Sequence, residues 1–187
     1  MVGNSRGAGT ATCSSTTRPG RLRPEIDTFD VVPAASLADM HLDPEAPTAV
    51  HANSVLLDDL PDRAIEALVA AAGPDSGSAL LFVEVRHLGG ALSRPASRPG
   101  VLDHMAGEFL VLGVGTDEGA GWPAVRDDTN RVMSALQPWD SGTSYLLMAD
   151  GQVDERRGWS TESARRLEAV RAAADPDELF VSPRSRT

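Results

Sequence analysis

The sequence predicts an α+β domain: an antiparallel sheet with helices packed on one of its faces. Three observations carry this. Apolar runs of strand length stand at 53–57, 79–87 and 109–112, and helical patterns lie between or after them. The strands at 79–87 and 109–114 are too close in sequence for a helical crossover, so antiparallel pairing is favoured. Two well-bounded amphipathic stretches, 61–72 and 123–136, each present one apolar stripe. Helices on one face leave the other face of the sheet uncovered, and such a face meets water or a partner.

The elements follow in order. Residues 1–20 are rich in Gly, Ser, Thr and Arg and poor in large apolar side chains, which predicts a disordered segment. The domain is expected over 21–187, with ordered structure from about Ile26. Between residues 29 and 50, prolines 33, 44 and 47 break the chain into short turns and extended pieces. Asn53–Leu57 reads as a strand closed by Asp58 and Asp59. For the helix at 61–72, Asp59 is the expected cap, and Pro61 suits the first turn. Ile65, Leu68, Val69 and Ala72 form the expected buried face, and Gly73-Pro74 ends the helix.

The strand at 79–87 turns Leu81, Val83 and Val85 toward the helices and Glu84 and Arg86 to the opposite face. Gly89-Gly90 and Gly113-Val114-Gly115 lack the further glycine or lysine of a phosphate loop and read as turns. In the helix at 123–136, Val125, Val132, Met133 and Leu136 share a stripe, and Pro138 forbids continuation. Ser144–Met148 reads as a further short strand. The last helix spans 161–173, is capped by Ser160, and turns Leu167 and Val170 inward.

Composition narrows the function classes. The formal charge of −10 argues against nucleic acid and anionic membrane surfaces as partners. No apolar run approaches the ~18–20 residues needed to cross a bilayer, and the N-terminal stretch lacks the apolar core of a secretory signal. The expected location is the cytoplasm. The single cysteine, Cys13, cannot form an internal disulfide. His41, His51, His87 and His104 stand without the converging spacing of metal ligands, so no metal site is expected. Ser141–Tyr145 contains no nucleophile elbow.

The side chains best placed for chemistry are Glu84 and Arg86, which share a strand face and suit substrate binding, and Tyr145, the only tyrosine, a candidate catalytic donor or base. The plainer account of the first two is a surface ion pair worth ~0–1 kcal/mol. For Tyr145 it is a packed phenol with a satisfied hydroxyl.

Several segments, in shared order, carry a resemblance: Pro24–Phe29, His41–Pro44, Leu57–Pro61, Glu84–Leu92, Trp139, Tyr145 and Asp175–Phe180. From about residue 21 onward the chain resembles the substrate-domain region of berberine-bridge-enzyme-like FAD-linked oxidoreductases, in the vanillyl-alcohol-oxidase superfamily. The resemblance implies hydride transfer from an alcohol, sugar or secondary metabolite to FAD, with an antiparallel sheet laid over the flavin ring. It also implies that Glu84, Arg86 and Tyr145 face flavin and substrate. No stretch here resembles the FAD-binding domain of that family, so the chain is expected to be inactive alone and not to hold FAD tightly. The family's Tyr-x-Asn-aromatic segment reads Tyr145-Leu146-Leu147-Met148 here. The alternative is a noncatalytic remnant, or a small α+β binding module that associates with itself.

Overall fold

The computed structural model describes residues 31–39, 46–98, 100–150 and 154–180. The chain divides into two compact units, Met1–Glu45 and Ala46–Thr187. In the first, Ala34–Asp39 forms a 3-10 helix, in line with the short turns expected there. The expectations for residues 1–30, for His41 and for the segments Pro24–Phe29 and His41–Pro44 lie outside the described residues.

The second unit is α+β. Strands β1 (His51–Leu57), β2 (Phe82–His87) and β3 (Phe109–Gly115) form one antiparallel sheet in the order β1-β3-β2. Leu56 stands opposite Leu110, and Leu110 opposite Arg86. The chain places β3 in the middle although it comes last, and each of its residues from 110 to 114 is buried.

Helices α1 (Asp62–Ala72) and α2 (Gly121–Leu136) pack on one face. The core beneath them joins Val55, Leu57 and Val111 to Ala64, Ala71, Val132 and Leu136. The α2 stripe is as expected, with Val125, Val132 and Leu136 fully buried. The α1 face is not. Ala64 and Ala71 point inward, whereas Ile65 and Val69 are largely exposed. Alanines two turns apart let α1 approach its neighbours closely, and that geometry outweighs the larger side chains on the adjoining stripe. Nor does Asp59 cap α1: its carboxylate accepts from Leu60 N (2.8 Å), and Pro61 occupies the cap position with no side-chain bond. Pro61 contributes its carbonyl instead, accepting from Ala64 and Ile65.

Gly113 and Gly115 belong to β3 and are not a turn. A Cβ on Gly115 would stand 2.5 Å from Val125 Cγ1, so the missing side chain is what lets α2 lie against the end of the strand. Gly90 does occupy a turn, at φ +70°. The strand expected from residue 79 begins at Phe82. Ahead of it, Ala79 N donates to Asp128, a buried carboxylate on α2 that also pairs with Arg131 at 2.9 Å. Of the residues expected under the helices, Val83 packs against their core, whereas Val85, on the edge strand, and Leu81, just ahead of it, are largely exposed.

Ser144–Met148 is not a strand. Leu146–Met148 forms a 3-10 turn, closed by Met148 N to the Tyr145 carbonyl at 3.0 Å. Three residues per turn bring Tyr145 and Met148 to one side, where both pack on Leu56 and Leu110. The second face of the sheet is therefore not bare. Leu88 and Met105 join the same cluster.

Helix α3 (Thr161–Ala174) is capped as expected, Ser160 Oγ accepting from Ser163 N at 3.1 Å. It buries no residue, and Val170, expected inside, is 62% exposed. Its tie to the domain is polar: Ser163 Oγ donates to the Val101 carbonyl at 2.9 Å. After it, the buried Asp175 carboxylate accepts from Leu179 N and Phe180 N, closing the Asp175–Phe180 turn. Among the described residues no helix is long and apolar enough to cross a membrane.

Candidate functional site

Glu84 and Arg86 do share the second face, because β2 alternates. They are bound to each other: Arg86 Nε donates to Glu84 Oε1 at 2.6 Å and Nη2 to Oε2 at 2.9 Å, a two-point fork. Donating to the Glu84 carboxylate raises the Arg86 pKa above its ordinary value. Partial burial opposes the rise, and the charges of Glu84 and Tyr145 add to it. Tyr145 is thus within electrostatic reach of Arg86, and the three predicted residues lie on one side of the sheet. His87, on the other side, is exposed and stacks on its cross-strand neighbour Phe109 with ring centroids 4.9 Å apart.

A concavity adjoins this face but does not include Glu84 or Arg86. A pocket of about 320 Å³ opens between the loop 100–106, the Thr143–Tyr145 segment and the start of α3. Its apolar wall includes Leu56, Val101, Leu102, Met105 and Trp159, and its polar groups include Tyr145, Asp103, His104, Glu162 and Arg166. Each wall is held by a separate device. The Asp140 carboxylate takes both of its oxygens to Arg157 Nη2 at 2.6 Å, and Ser144 N donates to the Arg157 carbonyl at 2.8 Å. Met105 N donates to the Leu92 carbonyl at 2.8 Å, fixing the 100–106 loop. The Ser163–Val101 bond joins α3 to that loop.

Sequence reasoning passed over His104. Its Nδ1 lies 2.6 Å from Asp103 Oδ1. That contact holds the Asp103 carboxyl below its ordinary pKa, with His104 as the main cause. A carboxylate on one ring nitrogen orients the imidazole and leaves Nε2 for another partner. The adjacent Asp-His pair in a loop was the only signal available, and nothing in the linear sequence joins it to Tyr145. Among the described residues no cluster of His, Cys, Asp and Glu could hold a metal ion.

The resemblance would set a flavin ring against the second face. The residues there do not fit a ring laid over the middle of the sheet. Leu110 and Leu112 of the central strand are buried, Leu110 beneath Leu88, Met105, Tyr145 and Met148. Arg86 already commits both Nε and Nη2 to Glu84.

No family model matches this chain, and neither does any curated protein sequence.

Proposed function

We propose that the domain binds a small neutral molecule in the pocket beside Tyr145, one with an apolar ring or chain and a hydroxyl or carbonyl oxygen. A single observation carries the reading: Tyr145 and the Asp103-oriented His104 line one pocket together with the apolar Leu56, Val101, Leu102, Met105 and Trp159. Its volume lies at the lower end of the ~300–1,000 Å³ range of ligand sites. A phenol and an imidazole both donate and accept, which suits an alcohol or carbonyl. Two carboxylates, Asp103 and Glu162, against one guanidinium, Arg166, disfavour an anion. The net charge of −10 likewise points away from nucleic acid. The reading takes the domain to work in the cytoplasm.

The test is a titration of the full chain with benzyl alcohol and cyclohexanol, followed by amide chemical shifts, with benzoate as the anionic comparison. The neutral compounds should shift Val101–Ala106, Tyr145 and Trp159, and Tyr145→Phe should weaken binding about three- to tenfold, the worth of one hydrogen bond. Shifts confined to other surfaces, or benzoate binding best, would sink the proposal.

A second reading follows the resemblance: the substrate-side region of an FAD-linked oxidoreductase that oxidises an alcohol, sugar or secondary metabolite. What favours it is that Glu84, Arg86 and Tyr145 share one side of the sheet. The described residues offer the flavin no cradle, so FAD would be held by other residues or another polypeptide, and this domain would supply binding and orientation. Flavin absorbance and substrate-dependent bleaching on adding a separate FAD-binding domain would support it, and no change on mixing would count against it.

A further inference from the structure

The two edges of the sheet are unequal. Along β1 the Leu56 carbonyl accepts from Ser141 N, the Ala52 carbonyl accepts from Asp150 N, and Ala52 N donates to Asp150 Oδ2, each at 2.8 Å. These are the even residues of β1, so its odd residues bond to β3. Strand alternation then turns the odd residues of β3 to β1 and its even residues to β2. The bond from Leu88 N to the Glu108 carbonyl, 2.8 Å, continues the even series along β2. The backbone groups of Val83, Val85 and His87 therefore point out of the sheet, and among the described residues they have no partner. Beside them Leu81, Phe82 and Val85 are 64%, 46% and 42% exposed. An edge with open backbone groups and exposed apolar side chains is a template for another strand.

We propose that the occupant is β2 of a second copy, paired antiparallel about a two-fold axis through Val85, so that the two sheets become one. Only odd residues offer backbone groups, so odd must stand opposite odd. Centring on Val85 sets Val83 against His87 and satisfies every outward amide and carbonyl of these three residues. It also sets Glu84 against Arg86 of the other copy, twice by symmetry. The next allowed registers on either side bring Glu84 against Glu84 or Arg86 against Arg86, and like charges directly opposite destabilise a ladder. The sequence Phe82-Val-Glu-Val-Arg-His-Leu88 is complementary to itself in charge about Val85. That self-complementarity selects a second copy over an unrelated strand. This inference is independent of the pocket.

The test is sedimentation of the full chain over a range of concentrations. The wild type should be a dimer. Val85→Pro should give a folded monomer, since the Val85 amide makes no bond within its own sheet and proline is tolerated on an outer edge. Glu84→Arg and Arg86→Glu should each weaken the dimer about tenfold or more, and a one-to-one mixture of the two should recover a tight heterodimer. The mixture restores only the contacts between chains, so it separates pairing from any effect within a strand, and it holds should the proline variant fail to fold. A wild-type monomer at all soluble concentrations, including one whose own N-terminal residues cover the edge, overturns the proposal. So does a mixture no tighter than its components.

Discussion

Gly115→Ala is the sharpest probe of how α2 meets the sheet. An ideal Cβ at this position falls 2.5 Å from Val125 Cγ1 and 3.2 Å from Cγ2, well inside ordinary contact. Val125 is fully buried at the N-terminal end of α2, so it has little room to retreat. Relief must come from an off-rotamer Val125 or a shift of the helix, which for one added methyl costs about 1–3 kcal/mol. At about 2–4 °C per kcal/mol for a chain of this size, the melting temperature should fall by roughly 2–12 °C. Gly113→Ala is the internal control. Its Cβ would meet Leu80 Cδ1 at 3.3 Å, a tight contact that the end of this half-buried side chain can relieve, and Thr129 Cγ2 at 3.7 Å, an ordinary one. Alanine also narrows the unfolded ensemble, by about 0.4–1 kcal/mol in favour of folding, so Gly113→Ala should be close to neutral. The assay is urea unfolding followed by far-ultraviolet circular dichroism, with Val125→Ala and the double variant completing a cycle. Removing both Cγ atoms of Val125 should cancel most of the Gly115→Ala penalty. If Gly115→Ala costs no more than Gly113→Ala, or if Val125→Ala fails to relieve it, close approach is not what β3 needs its glycine for.

Two further expectations concern ends and charges. Ser160→Ala should destabilise α3 by about 1 kcal/mol, read as faster amide exchange in its first turn, while Asp59→Ala should leave α1 unchanged because no side chain caps it. The Asp103 carboxyl should titrate below the ordinary carboxylate range by NMR and return toward it in His104→Ala. Its folded pKa is depressed, so its contribution to stability is present above the unfolded value and is lost as pH falls through the folded one. An Asp103 midpoint that ignores the His104 substitution would disprove the pairing.

Much of the fold was legible because its signals are local. The antiparallel relation of β2 and β3 was expected, and the described residues between them, 88–98 and 100–108, contain no helix to cross over. The α2 stripe follows from the spacing of Val125, Val132 and Leu136, and the α3 cap from Ser160. Where the reading failed, a distant neighbour decided. Ala64 and Ala71 outrank Ile65 and Val69 because closeness to α2 and the sheet matters more than the size of the apolar side chain. Tyr145–Met148 is as apolar as a strand, but β1's edge is already taken by Ser141 and Asp150, so the segment turns and covers the second face instead.

The candidate site divides the same way. That Glu84 and Arg86 face one side was set by alternation along a single strand, a property the linear sequence carries by itself. That Tyr145 stands on that side, and that Asp103 and His104 share a pocket with it, needed the 100–106 loop and the turn after Asp140 to fold over the sheet. Backbone periodicity is written in neighbouring residues. The meeting of residues some forty positions apart is written only in the packing that brings them together.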